Sequence, residues 1–331
     1  MTEPLVSVRM VTYNHAHFIA QAIDCVLQQK ANFPFELVIG EDCSTDRTRE
    51  IVFEYQKRYP DLIKVITSEQ NVGMKRNGYR TTKACRGKYV AFCDGDDFWH
   101  HPEKMQKQVD YLESHPECGI VFADCDVYYD KSGKLINSFN YFKGYRTSRN
   151  LTVEEVLSGG LIRFTCSAIL RRSLAEEIIE NDPYLYQSED FLMGDTQLWT
   201  ELALQSVVSY MPETMATYRV LENSASRNKD PEKAYRFWKS AYEMMIYLCD
   251  KHNLSDDLRK KADLAWCDVC LRLACDERNA NLANEVLLKK KMFNWKERLR
   301  YYGARNIVVH YIYRVGAFFP ALLRKKNSQW P

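Results

Sequence analysis

The chain has 331 residues, of which 46% are hydrophobic and 27% charged, with 46 Lys and Arg set against 44 Asp and Glu. This is the composition of a globular protein with room for one large domain and a smaller appendage, and it excludes a mainly disordered chain. So even a charge balance carries no field directed at nucleic acid, which is therefore not an expected partner.

Val6 to Thr12 is short and rich in β-branched residues and precedes the turn former Asn14, which predicts a first strand. Phe18, Ala22 and Val26, with Ile19, Ile23 and Leu27, then repeat at four-residue intervals, the stripe of an amphipathic helix. Phe35 to Ile39 predicts a second strand, and Thr45 to Tyr59 a second helix that stops before Pro60. Leu62 to Thr67, a helical stretch from Met74 to Cys85 and the apolar strand Tyr89 to Cys93 continue the alternation. Parallel neighbours need crossover connections, so this order predicts an α/β fold with a mostly parallel central sheet flanked by helices. Ligands of such sheets bind beyond the carboxyl ends of the strands. Three polar clusters stand at those places: Thr12-Tyr13-Asn14, Glu41-Asp42 and Asp94-Gly95-Asp96-Asp97.

Farther along, Pro102 to His115 reads as a helix, and Gly119 to Tyr128 as a strand in which Asp124 and Asp126 interrupt a buried pattern. Thr152 opens a helix, with Glu155 three residues on to complete a capping box. Thr165 to Leu170 reads as a strand and Thr196 to Leu204 as a helix. The polar, turn-rich stretch Asn223 to Pro231 marks a boundary, dividing the chain into an α/β domain over 1–226 and a helical C-terminal region over 227–331.

No basic segment followed by an apolar run and a cleavage site opens the chain, so no secretory signal is expected. No uncharged apolar stretch reaches about 18 residues, so no spanning helix is predicted either. The eleven cysteines are odd in number and scattered through predicted core segments, which points to a reducing cytoplasm rather than a disulfide framework. Cys267, Cys270 and Cys275 lie close together, but WCDVCLRLAC reads as the apolar side of a helix rather than as a zinc site.

The strongest single signal is KYVAFCDGDDFW, residues 88–99. Three carboxylates within four positions at the end of a buried strand disfavour one another's ionisation unless something positive stands between them. A hard divalent cation, Mg2+ or Mn2+, binds through one or two carboxylates plus substrate phosphates, which suits Asp94 and Asp96, the two acids of a DXD motif. The alternative is a solvated acidic turn; a calcium loop lacks its ladder of oxygens and its closing Glu.

The runs VSVRMVTYNHAHFIAQAIDCVLQQ, FELVIGEDCSTDRT, SEQNVGMKRNG and GKYVAFCDGDDFW, followed by GDTQLW at 194–199, resemble in order and spacing the family 2 glycosyltransferases of GT-A fold. The resemblance covers residues 4 to 226. It implies a Rossmann-like GT-A domain that inverts the anomeric centre of a sugar taken from a nucleotide-sugar donor, with UDP as the expected nucleotide. It further implies that Tyr13 stacks on the base, between Thr12 and Asn14 of the same segment, and that Asp42, with Glu41 beside it, accepts a hydrogen bond from the base. Arg76 is implied near the nucleotide, Asp96 on the metal, and Asp94 on the ribose or helping to position the ion. These residue types suit those tasks: an aromatic face, carboxylate acceptors and a guanidinium for phosphate.

An acceptor hydroxyl must lose its proton as it attacks, so a carboxylate is required as general base, and Asp195 is the candidate. It also fits as the N-cap of the following helix; Glu189 and Asp190 are the fallback. Relatives often carry a histidine in the segment matching TYRVLENSAS, 217–226, where this chain has Leu221, so the third metal ligand stays open. His15 and His17 read as loop residues.

Residues 232–300 read as several packed helices. Between 304 and 326, Ile307, Val308, Tyr311, Ile312, Val315, Phe318, Phe319, Leu322 and Leu323 lie among Arg305, Arg314, Arg324, Lys325 and Lys326. Two readings stay open there: a basic amphipathic segment at the membrane interface, or a helix packed on the protein or on a partner subunit of a homo-oligomer. The expected activity is transfer of a hexosyl or N-acetylhexosaminyl group to a saccharide or lipid-linked saccharide. Its expected setting is bacterial surface polysaccharide synthesis in the cytoplasm, with peripheral contact at the inner membrane face. The alternatives are a sugar nucleotidyltransferase, against which the missing Gly-rich phosphate loop counts, and a non-catalytic nucleotide-sugar-binding scaffold.

Overall fold

The computed structural model describes residues 3–158, 161, 163–222, 230–290 and 294–313. Two compact units are found, Met1–Glu222 and Asn223–Pro331.

The first unit is an α/β layer structure. Strand β1 (Val6–Thr12) leads to helix α1 (Ile19–Leu27), β2 (Phe35–Glu41), α2 (Thr48–Arg58), β3 (Ile63–Ile66), α3 (Met74–Lys83) and β4 (Tyr89–Phe92). A short β5 (Phe98–Trp99) precedes α4 (Lys104–Ser114), the long β6 (Cys118–Tyr129), β7 (Lys134–Ile136), α5 (Phe139–Phe142), β8 (Arg149–Leu151) and α6 (Val153–Ser158). After a 3-10 turn at Thr165–Ser167 come β9 (Ile169–Arg171), α7 (Arg172–Asn181), α8 (Pro183–Gln187), α9 (Thr196–Gln205) and β10 (Val207–Val220).

The ten strands of the described residues belong to one sheet whose main order is β3-β2-β1-β4-β9-β6-β10-β5, with β7 on β6 and β8 on β10. Strands β3, β2, β1 and β4 run parallel, as do β6 and β10, and β9 runs antiparallel between β4 and β6. Helices cover both faces of the parallel part, so β1, β2 and β4 are buried almost without interruption. Val6, Val8 and Met10 of β1, Leu37 and Ile39 of β2 and Ile19, Ile23 and Val26 of α1 share one core. The register pairs Thr12 with Glu41 and Arg9 with Phe92, which brings the carboxyl ends of β1, β2 and β4 side by side.

Several elements depart from the sequence reading for local reasons. Helix α2 starts at Thr48, not Thr45, because the Asp46 carboxylate takes the Thr48 amide at 2.9 Å, while the Thr45 amide is held by Asn14 Oδ1 at 2.8 Å. Of the expected strand at 165–170 only Ile169 and Leu170 enter a strand, β9; Ser167 bonds back to the Phe164 carbonyl through both its hydroxyl and its amide. Strand β10 is not signalled by composition, because Pro212 and Glu213 interrupt it; its register on β6 shifts between Met211 and Thr214, around that proline. The capping box at the start of α6 is present: the Glu155 amide donates to Thr152 Oγ1, and the Thr152 amide to Glu155 Oε2. Asp124 is buried with three backbone amides on its carboxylate, from Cys125, Asn140 and Tyr141, and so staples α5 to the strand.

The second unit is helical: α10 (Pro231–Lys251), α11 (Asp256–Glu277), α12 (Ala280–Lys289) and α13 (Trp295–Gly303). Its core joins Trp266, Cys267, Cys270, Leu271, Ala274, Ala283 and Val286. The WCDVCLRLAC cysteines are thus packing residues on α11. All eleven cysteines are free. Among the described residues no helix is long and apolar enough to cross a membrane. Of the amphipathic segment 304–326, residues 314–326 lie outside the described residues.

Candidate functional site

At the end of β1, Tyr13 stands 41% exposed and Thr12 is buried. Asn14 adopts the left-handed conformation (φ 55°) that asparagine tolerates. Its amide donates to Ser44 Oγ at 3.0 Å and its side-chain oxygen accepts from Thr45, so Asn14 ties the turn after β1 to the loop after β2. At the end of β2, Asp42 accepts from the Val72 and Gly73 amides, both at 2.9 Å, and Arg80 lies 3.6 Å away. Glu41, expected beside Asp42 near the base, lies inside. It has no exposed surface, and its two oxygens are committed to the Ser44 amide at 2.6 Å and Arg49 at 2.5 Å. It holds the 41–49 loop from inside.

The acidic loop follows β4. Asp94 lies 3.8 Å from Arg9 Nη1, yet its Oδ1 is buried without a hydrogen bond. Burial, with Asp96 and Asp195 nearby, pushes its carboxyl up to about 6 against the opposing pull of Arg9. Asp96 Oδ2 stands 4.0 Å from His15 Nε2. Two further buried polar atoms lack a partner here, Thr12 Oγ1 and His15 Nδ1. Gly95 is what lets the loop close over them: a Cβ on it would lie 2.6 Å from Thr12 Oγ1 and 3.0 Å from His15 Nδ1.

Asp97, the third acid, faces the interior. It accepts the Arg219 amide at 2.8 Å, and burial holds its carboxyl well above the usual range. Arg219, on β10, also donates to the Asp96 carbonyl, Gln21 and Asp130, and its guanidinium lies over the rings of Phe18, Phe98 and Tyr128. Beneath the loop, Lys104 is fully buried against Trp99 with Gln108 as its oxygen partner, and burial lowers it to about 8.

On the other side stands Asp195, at the N-cap of α9. One oxygen accepts the Thr196 amide at 2.6 Å and the other the Thr165 hydroxyl at 2.9 Å. It is close enough to Asp94 for the two carboxylates to repel. Arg163 is near enough to feel Asp195; its Nη1 donates to the Glu155 and Leu161 carbonyls, and its buried Nε has no partner. The preceding segment is fastened to α3. Lys75 Nζ donates to the carbonyls of Leu185, Ser188 and Phe191 at 3.1, 2.8 and 3.0 Å, and Arg76 pairs with the exposed Glu189 at 2.6 Å. Asp190 also lies exposed.

The structure therefore brings Thr12, Tyr13, Asn14, Asp42, Asp94 and Asp96 to three adjoining strand ends, with Asp195 beside Asp94. Arg9, His15, Lys75, Arg163 and Arg219 were not singled out by their neighbours in sequence. For Arg9 and Arg219 there was one signal, a guanidinium set in the middle of an apolar strand, which demands a buried partner. Among the described residues no group of three or more His, Cys, Asp or Glu stands ready for a metal. The unpartnered oxygens of Thr12 and Asp94 beside Asp96 nonetheless fit a hard cation, which takes most of its remaining ligands from phosphate and water.

The model of the family described as Glycosyl transferase family 2 matches residues 7–179. An uncharacterised protein of Mycobacterium tuberculosis (strain H37Rv) is 33% identical over 236 residues, 71% of this chain and 61% of that protein. This chain thus spans under two thirds of that relative's length. TuaG of Bacillus subtilis (strain 168), named for teichuronic acid biosynthesis, is 28% identical over 240 residues, 72% of this chain and 85% of TuaG. Among solved structures, residues 1–349 of S. aureus TarS in complex with UDP-GlcNAc align with TM-score 0.56 at 19% identity, covering 90% of this chain and 79% of that one. A mannosyltransferase of Pyrobaculum calidifontis in complex with GDP-Man and Mn2+ aligns with TM-score 0.57 at 15% identity, covering 94% and 87%. With the family model matched over more than half its length, this chain belongs to glycosyl transferase family 2.

Proposed function

We propose that the chain is an inverting, metal-dependent glycosyltransferase. It moves a hexosyl or N-acetylhexosaminyl group from a UDP-linked donor onto a hydroxyl of a saccharide or lipid-linked saccharide, in the building of a bacterial surface polysaccharide. The observation that carries this reading is the Asp195 carboxylate, held at a helix start by the Thr196 amide and the Thr165 hydroxyl and near enough to Asp94 to raise its carboxyl. The donors bound by TarS and by the mannosyltransferase, and the name of TuaG, support the substrate classes.

Asp96 and Asp94 would hold Mg2+ or Mn2+, which when bound supplies Lewis-acid neutralisation of charge on the departing diphosphate. Tyr13 offers its exposed face to the base, and Asp42 keeps lone pairs beyond those used by Val72 and Gly73. Arg76 exchanges Glu189 for a phosphate oxygen. Asp195 takes the proton of the acceptor hydroxyl as it attacks the anomeric carbon, and the Thr196 amide and Thr165 hydroxyl fix the direction of its oxygens. A single displacement with one base inverts the anomeric centre. Incubation with UDP-sugars, Mn2+ and a panel of saccharide acceptors is expected to release UDP, and proton NMR of the product to show the inverted linkage. Binding without turnover across the panel would favour a scaffold, and a retained configuration would remove the single displacement.

A peripheral membrane contact of residues 304–326 belongs to the same proposal. Residues 307–313 are helical, with Ile307, Val308, Tyr311 and Ile312 exposed. Chain with residues 304–331 is expected to pellet with anionic liposomes and chain without them to stay in solution; equal pelleting argues against the contact.

A further inference from the structure

We propose that the acceptor is an anionic saccharide, bearing phosphate or carboxylate groups, and that it lies along the ridge formed by α5 and the turn after it, with Lys143 and Arg146 on its charges. The inference rests on the glycosyltransferase reading above and names the acceptor class that reading leaves open. Lys131, Lys134, Lys143, Arg146 and Arg149 follow one another between Asp130 and Glu154 with no acid among them. Lys131 pairs with Glu222 and Arg149 with Glu155. Among the described residues the other three have no carboxylate partner, so one segment carries a local excess of positive charge.

The ridge is fixed to the sheet. The Asp124 carboxylate takes the Asn140 and Tyr141 amides, each at 2.9 Å, and Asp126 takes the Ser138 amide at 2.8 Å. Both acids of β6 are thereby committed to backbone. Three of the cations lie over rings of their own segment: Lys143 over Phe139 at 4.6 Å, Arg146 over Tyr141 at 5.5 Å and Arg149 over Tyr145 at 5.8 Å. Long side chains held in this way lose less freedom when a ligand arrives. Tyr141 and Phe142 are 44% and 78% exposed, and the C–H face of a sugar ring packs on aromatic surface of this kind.

The ridge also adjoins the proposed base. Phe139 packs edge to face with Phe164, ring centres 5.6 Å apart, and the next residue, Thr165, gives its hydroxyl to Asp195. Arg163 Nη1 donates to the Glu155 carbonyl, and the Glu155 carboxylate pairs with Arg149, so the row of cations continues to the neighbourhood of Asp195. A neutral acceptor gains nothing from that row, whereas a phosphate or carboxylate takes charge-assisted hydrogen bonds from it.

The test is calorimetry on the full chain with UDP, titrated with hexagalacturonate, with its neutral methyl ester, and with a glycerol phosphate oligomer of similar length. At least one anionic oligomer is expected to bind and the ester not to; which of the two binds tells carboxylate from phosphate. Lys143→Ala combined with Arg146→Ala is expected to weaken that binding about 10-fold or more. Lys57→Ala with Arg58→Ala, an exposed basic pair on α2, is expected to leave it unchanged. An ester bound as tightly as the acid, or anion binding indifferent to Lys143 and Arg146, overturns the inference. So does a wild-type chain that binds no oligomer but loses its hold on anionic vesicles in the double variant, which makes the ridge a membrane contact. UDP bound with no anionic oligomer sinks this inference alone; UDP not bound sinks the glycosyltransferase reading with it.

Discussion

Asp195, the proposed proton acceptor, is the residue on which turnover should depend most sharply. A positioned base contributes about 10²–10⁴-fold in rate, so Asp195→Asn is expected to lower turnover by that order while UDP binding, measured by calorimetry, persists. The amide side chain can keep accepting from the Thr196 N–H and so preserve the cap; unchanged turnover would remove Asp195 from the mechanism. Lys104 makes a different kind of prediction. Its folded value of about 8 lies below the usual 10.5 because burial disfavours the charge. Between those values the unfolded chain holds a proton that the folded chain has released, so folding gains stability as pH rises. Lys104→Met lacks this dependence. Its stability advantage in urea melts is expected to be largest below pH 8 and to shrink toward pH 10, whereas parallel curves would show that the ammonium carries no burial cost. Asp94, Asp96 and Asp195 were legible because each sits in a short string just after a strand or just before a helix. His15, Arg9, Lys75 and Arg219 were not, since their partners lie far along the chain, such as Asp97 at 122 residues from Arg219 and the Phe191 carbonyl at 116 from Lys75.

Elements with a clean period were read correctly from sequence: β1, α1, β2 and β4 alternate as expected because both sheet faces are covered. What periodicity could not give was the second half of the sheet. Strand β9 is three residues long and enters antiparallel between β4 and β6, and β10 bends at Pro212, so neither presents a regular pattern. The tether between α3 and the 185–191 segment was equally hidden. Lys75 spends three donors on three carbonyls there, and Asp195 follows four residues after the last. Lys75→Met should therefore speed amide hydrogen exchange across 185–195 and reduce turnover, with exchange in β1 and β2 and the affinity for UDP unchanged. Exchange in 185–195 that matches the wild type would show that the segment is held by its own packing.

At the scale of the whole molecule, the structure has a compact unit ending at Glu222 and another beginning at Asn223. A ligand that binds only the native form raises stability by about 2.7 kcal/mol at one hundred times its Kd. UDP with Mn2+ should thus raise the melting temperature of the wild-type chain, and Asp96→Asn should abolish the Mn2+-dependent part of the rise. An equal rise in the variant would place the cation elsewhere. The loops beyond the carboxyl ends of β1 and β2 are tied across to other segments by two side chains, Asn14 on 44–45 and Asp42 on 72–73. A change confined to an exposed residue between those anchor points then leaves the strand ends where they are, so what the loops present can vary while the scaffold is inherited intact.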